Sequence, residues 1–206
     1  MNKTLKTGLT VLAVSLICIV AFAIVLSFLG KNIEPKTEVF EDISEYEELF
    51  GKDGIYKNNF VGKGDIFPEK LADSAVVEKF RLEYQQPYDE KYNYMAYLVY
   101  TCDNDSFETE CERLSSLSST NEDAYKGIYG ITEFKQKPVA VYADEEYGIT
   151  YALCDENNGR LIYFALSFNK YYTDIDYSKT VDGKYLPDGF NAYMGNAIFE
   201  EKRKEK

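Results

Sequence analysis

The chain begins with an apolar run that contains no charge. From Gly8 to Leu29, "GLTVLAVSLICIVAFAIVLSFL", apolar residues continue right round any helix that could be drawn through them. A hydrocarbon core of ~30 Å takes about 20 residues in a helix. Thr10, Ser15 and Ser27 can bond back to their own helix. The pattern predicts a transmembrane helix over 8–29 behind a tail at 1–7. A cleaved export signal is the competing reading, since "MNKTLKT" is short and basic and Ala21-Phe22-Ala23 fits a small-residue cleavage site. Against it, Ile24, Val25 and Leu26 keep the chain apolar where a cleaved protein turns polar. Cys18 follows bulky Ile17, which argues against a lipoprotein site. Lys3 and Lys6 on one side nearly balance Lys31 and Lys36 on the other. Orientation then follows from size: the short tail stays inside and the long C-terminal part lies outside.

Beyond the run the periodicity changes. Residues 30–41 are polar with one proline and read as a stalk. In "DISEYEELFG", Ser44 and Glu47 have capping-box spacing, Ile43, Tyr46, Leu49 and Phe50 form one stripe, and Gly51 follows as a stop, which predicts a short helix. Residues 75–86 alternate from Glu78 onward, with Phe80, Leu82 and Tyr84 on one face. Residues 91–102 are aromatic and β-branched, and the two segments read as a hairpin. Asp105 at the N-cap with Glu108 three residues later, then Phe107, Cys111, Leu114 and Leu117 on one face, predicts a helix. "SSTNEDAYKGIYG" reads as loop. Segments 137–143, 147–154 and 160–168 predict a meander, with Asn158-Gly159 at a tight turn. The last of these barely alternates, as expected of a central strand covered on both faces. After a turn-rich connection, Phe190, Tyr193, Met194, Ala197 and Ile198 predict a closing amphipathic helix. The fold class is α+β: an antiparallel sheet of about five strands with packed helices, occupying residues 42–206 as one domain.

Charge narrows the partners. All 35 Asp and Glu and all but two of the 23 Lys and Arg lie beyond residue 30, leaving that part at −14. Such a surface repels nucleic acid and anionic lipid, and suits a solvated domain that meets basic proteins or peptides. No histidine occurs, which removes serine or cysteine nucleophiles with a histidine base. Cys102, Cys111 and Cys154 are odd in number and lack zinc-site spacing. Cys102 and Cys154 each end a strand and could lie near each other. The expectation is nevertheless that the three stay as thiols and that neither a disulfide nor a metal is essential to the fold.

Candidate chemistry is sparse. Asp174, Asp176 and Asp182 with Ser178 supply oxygens in one loop, but Lys179 and Tyr185 stand where a calcium loop needs glycine and glutamate, so they read as turn-forming residues. Glu145 and Glu146 are adjacent in a turn and diverge, which is unsuited to a paired-carboxylate glycosidase. Tyr92 with Tyr94, and Tyr147 with Tyr151, share strand faces and could form binding rows. No residue is assigned as catalytic or metal-binding, and no cofactor is expected. The expectation is a membrane-anchored extracytoplasmic binding or protein-interaction domain. The alternatives are a cell-envelope hydrolase using carboxylates and a self-protection protein that neutralises a basic toxin.

Overall fold

The computed structural model describes residues 15–25, 36–54, 65–86, 93–144, 148–167 and 175–193. The chain divides into two units, Met1–Lys36 and Thr37–Lys206. In the first, residues 15–25 are helical (α1), and the large side chains Leu16, Ile17, Ile19, Val20, Phe22, Ile24 and Val25 are all exposed. Among the described residues no helix is long and apolar enough to cross a membrane. The span predicted from Gly8 to Leu29 runs past 15–25 at both ends, into residues outside the described ones.

The second unit is α+β, built on a six-stranded antiparallel sheet in the order β1-β2-β3-β6-β5-β4. Its strands are β1 (Lys36–Phe40), β2 (Val76–Gln86), β3 (Asn93–Thr101), β4 (Lys137–Asp144), β5 (Gly148–Asp155) and β6 (Arg160–Ser167). The sheet thus has six strands rather than five, because 36–40, read as part of the stalk, joins the sheet as β1. This strand is short and half-exposed, with Thr37 and Val39 facing solvent, so its composition resembles a linker. The hairpin and the meander fall where the pattern puts them. Gly159 has φ +56° in the β5–β6 turn, the left-handed conformation for which glycine is suited.

β3, β5 and β6 are buried along almost their whole length, because both sheet faces are covered. On one face, Phe80, Leu82, Leu98, Tyr100, Leu161 and Tyr163 pack with Tyr46, Leu49 and Phe50 of α2 (Tyr46–Phe50) and Phe107 and Leu114 of α3 (Asn104–Ser115). On the other, Met95, Tyr97, Val99, Tyr151, Ile162 and Phe164 pack with Tyr125 and Tyr129 of α4 (Glu122–Tyr129) and with Ile175, Tyr177, Val181 and Tyr185. Tyr177 opens a short helix, α5 (Tyr177–Thr180).

Four local expectations are corrected. The stretch 118–130, read as loop, holds the helix α4 over Glu122–Tyr129, capped by Asn121. α3 is capped by Asp103, not Asp105: its extended backbone lets the carboxylate accept from Ser106 N at 2.8 Å. The turn before α2 is capped by Asp42, which accepts from Ser44 N at 2.9 Å, so Ser44 is inside the element and not its cap. Residues 190–192 are not helical; Asn191 N donates to Tyr129 O at 2.8 Å and Ala192 N to the Tyr177 hydroxyl at 3.2 Å, which ties this segment to the second core. The rest of the predicted closing helix, including Met194, Ala197 and Ile198, lies outside the described residues.

The exposed edge of β4 is closed by the chain itself. Thr120 N donates to Val141 O at 2.7 Å, Val141 N to Ser119 Oγ at 3.2 Å and Ala143 N to Thr120 Oγ1 at 3.0 Å. Those contacts occupy edge groups that could otherwise template another strand. Pro138 sits in this edge strand, where its missing donor breaks no ladder between two strands.

Candidate functional site

Helix α3 carries Glu110 and Arg113 three residues apart, Glu110 bordering the sheet-contacting stripe of Phe107 and Leu114. The two side chains meet in a fork: Arg113 Nε donates to Glu110 Oε2 and Arg113 Nη2 to Glu110 Oε1, both at 2.6 Å. Arg113 also reaches across to the segment before β2, donating to Asp65 O at 2.6 Å and Ile66 O at 2.8 Å. Burial works against the charge of the Arg113 guanidinium, but the Glu110 carboxylate more than offsets it and the pKa rises. The planar guanidinium is suited to this combination of bidentate carboxylate and carbonyl contacts.

Beneath Glu110 lie two buried tyrosines. The Tyr163 hydroxyl donates to Glu110 Oε1 at 2.6 Å and lies 3.4 Å from the Tyr100 hydroxyl. A phenol has one proton to donate. With that of Tyr163 directed at Glu110, Tyr100 is the donor to Tyr163, and a chain runs Tyr100 to Tyr163 to Glu110. Their rings stack with centroids 6.0 Å apart. Burial, then the neighbouring Tyr100 and Glu110, push the Tyr163 phenol well above its ordinary pKa, so it is held as a neutral donor. Tyr46 OH donates to Pro68 O at 2.7 Å, fixing the other end of the 65–68 segment.

Two depressions open on this network and a third adjoins them. One, of about 390 Å³, lies between Asp65, Phe67, Pro68, Glu69 and the Glu110–Arg113 pair. A second, of about 480 Å³, shares Lys70 and Glu110 with it and is bounded by Asp73, Tyr100, Asp105, Ser106 and Thr109. A third, of about 490 Å³, shares Glu69 and Lys70 and is walled by Glu47, Glu48, Lys52 and Asp53. Together they present eight carboxylates and three cations. Two of the cations are matched within the site, Arg113 by Glu110 and Lys70 by Asp73 at 3.2 Å. The cleft is therefore strongly anionic. Glu110 is fixed through both oxygens, an arrangement that holds its side chain in one position.

The sequence-selected residues fall elsewhere. Tyr94 and Tyr151 are buried, and Tyr151 OH donates to Tyr185 O at 2.9 Å; Tyr92 and Tyr147 lie outside the described residues. Tyrosine here builds core, so strand-face pairs do not make an exposed row. Asp176 binds Ser178 Oγ at 2.6 Å and Lys179 Nζ at 2.5 Å, while Asp182 accepts from Lys184 N at 3.1 Å, as turn-forming residues do. Asp174, Glu145 and Glu146 lie outside the described residues. Glu110 and Arg113 were not singled out in the sequence. Their i, i+3 spacing beside the apolar stripe signals a possible pair, but not the tyrosines that make the pair a site.

No protein-family model, curated protein or solved structure matches this chain.

Proposed function

We propose that the protein is a membrane-anchored extracytoplasmic binding domain that takes a cationic protein or peptide in the cleft beside α3. The observation that carries this reading is the excess of carboxylates lining three adjoining depressions around Lys70. Anionic concavities raise the local concentration of cationic ligands and speed their encounter. The anchor rests on the 22-residue uncharged run and on α1, whose exposed apolar side chains would be unfavourable in water. Residues 1–7 would lie inside and the sheet domain outside. The locked Glu110 suits a rigid binding wall and offers less to the hydrolase reading.

The test uses the full chain in mild detergent and a fluorescent lysine-rich peptide, with binding read by anisotropy. Binding should weaken at least tenfold between 50 mM and 500 mM salt, and again when Glu48→Lys, Asp53→Lys and Glu69→Lys are combined. The same number of reversals placed at Asp123, Glu133 and Asp188, away from the cleft, should leave affinity within twofold. Equal losses from the two sets would sink the cleft reading and leave only general charge attraction.

A further inference from the structure

The stretch 65–74 runs along α3 in the opposite direction and is pinned to it at both ends. Near the end of the helix, Arg113 Nη1 donates to Asp65 O and Arg113 Nη2 to Ile66 O. At its start, Asp103 N donates to Ser74 Oγ at 3.3 Å, and Ser74 Oγ donates to Ser106 Oγ at 3.4 Å. Between the pins lies the second depression, bounded by Lys70 and Asp73 on one side and by Asp105, Ser106, Thr109 and Glu110 of α3 on the other. Tyr100 also lines it and is only 2 % exposed, so it stands at the floor. The polarity of the hydroxyl chain decides what this floor can bind. The single Tyr163 proton is spent on Glu110 Oε1 at 2.6 Å. The Tyr100 proton is spent on the Tyr163 oxygen at 3.4 Å. Tyr100 therefore offers only oxygen lone pairs to the depression. Arg113 is turned to Glu110, Asp65 and Ile66, and Lys70 is engaged with Asp73 at 3.2 Å on the exposed rim.

We propose that the second depression is a pocket for a primary ammonium group, the end of a lysine side chain of the partner, with the Tyr100 hydroxyl oxygen as its neutral acceptor. The inference rests on the cleft reading above and names the group that the cleft selects. An ammonium has three N–H donors and no acceptor. The lining complements it, with the Tyr100 oxygen at the floor and the Glu110 and Asp105 carboxylates on the helix wall. Linked hydrogen bonds polarise one another. The Glu110 charge, passed through Tyr163, therefore makes the Tyr100 oxygen a better acceptor than an isolated phenol. A quaternary ammonium carries the same charge but has no donor for that oxygen. Lys70 leaves the floor open, because its pair with Asp73 is exposed and screened by solvent. Tyr100 is thus a specificity-determining residue, and its role is separable from packing. Tyr100→Phe keeps the ring stacked on Tyr163 and strands no buried proton, since that of Tyr163 still goes to Glu110.

The test uses the full chain in mild detergent and two fluorescent peptides of one lysine-rich sequence, the first with free lysines and the second with every lysine trimethylated. Binding is read by anisotropy. The unaltered chain should bind the free-lysine peptide about tenfold more tightly, as a hydrogen bond to a charged group implies. Tyr100→Phe should remove the preference by weakening the free-lysine peptide alone, with the trimethylated peptide held within twofold. The comparison on the unaltered chain needs no variant, so it decides the matter even where Tyr100→Phe folds poorly. Equal or tighter binding of the trimethylated peptide, or a preference that survives in Tyr100→Phe, would overturn the ammonium pocket. If the combined Glu48→Lys, Asp53→Lys and Glu69→Lys set then still weakens both peptides, the cleft reading stands without the pocket. If that set weakens neither peptide, the cleft reading fails and the pocket fails with it.

Discussion

Tyr163 shows how one hydroxyl can set the shape of a site. It donates to Glu110 and accepts from Tyr100, in a place where water is excluded. Tyr163→Phe keeps the ring and its packing against Phe67, whose centroid is 5.5 Å away, and removes only the oxygen. Glu110 then loses one of its donors and the Tyr100 hydroxyl loses its acceptor. Losing a bond to a charged group and leaving a buried polar group unpaired costs about 2 kcal/mol. For a chain of this size that corresponds to a fall of roughly 4–8 °C in melting temperature. Thermal unfolding followed by circular dichroism checks it, and a fall below about 2 °C would show that the chain of hydroxyls is not formed. The variant should also weaken lysine-peptide binding if the fixed charge of Glu110 contributes to the cleft.

At the scale of elements, α4 is the most instructive. Asn121 accepts from Asp123 N at 2.8 Å at its start, Glu122 and Asp123 fill the first turn, and Gly130 ends it at φ +69°. These are start and stop signals of a helix, yet the segment is dense in Ser, Thr, Asn, Asp and Gly and reads as loop by composition. Local chemistry outweighs composition here because Tyr125 and Tyr129 supply the buried face, and Tyr129 OH donates to Asp144 O at 2.7 Å. Asn121→Ala should cost about 1 kcal/mol, and Asn121→Ser should be nearly neutral. Chemical denaturation that ranks the two variants equal would remove the cap from the account. The strands of the meander were legible because their alternation, or its loss in β6, reports burial directly. The edge strand β1 was not, because half of an edge strand faces water and so gives a weak pattern. The cleft was legible only as charge. Its parts come from the 65–73 segment, α2 and α3, and spacing in the chain says nothing of their meeting.

The whole molecule is held together by an unusual share of phenol. Tryptophan is absent, tyrosine numbers 19, and both cores are built around it: Tyr46, Tyr100 and Tyr163 on one face, Tyr97, Tyr129 and Tyr151 on the other. A tyrosine packs like phenylalanine but carries an oxygen that must be partnered when buried. Here carbonyls of Pro68, Asp144 and Tyr185 serve: the first joins α2 to the 65–68 segment, and the other two each fix a covering segment to the sheet. This architecture couples stability to alkaline pH. Burial, the largest cause in each case, pushes the Tyr46, Tyr129, Tyr151 and Tyr163 phenols well above their ordinary range. Their folded pKa values therefore exceed the unfolded value of about 10. Below pH 10 both states hold the protons and stability does not depend on them. Above pH 10 the unfolded chain releases protons that the folded chain retains, so stability falls with rising pH, by up to about 1.4 kcal/mol per pH unit for each such tyrosine. Several tyrosines acting together should unfold the domain cooperatively between about pH 10 and 12. Tyrosinate absorbance near 295 nm should then rise in one step with the loss of circular dichroism. A gradual rise centred near pH 10, with the fold intact, would show that these phenols titrate freely and that the two cores are not dry.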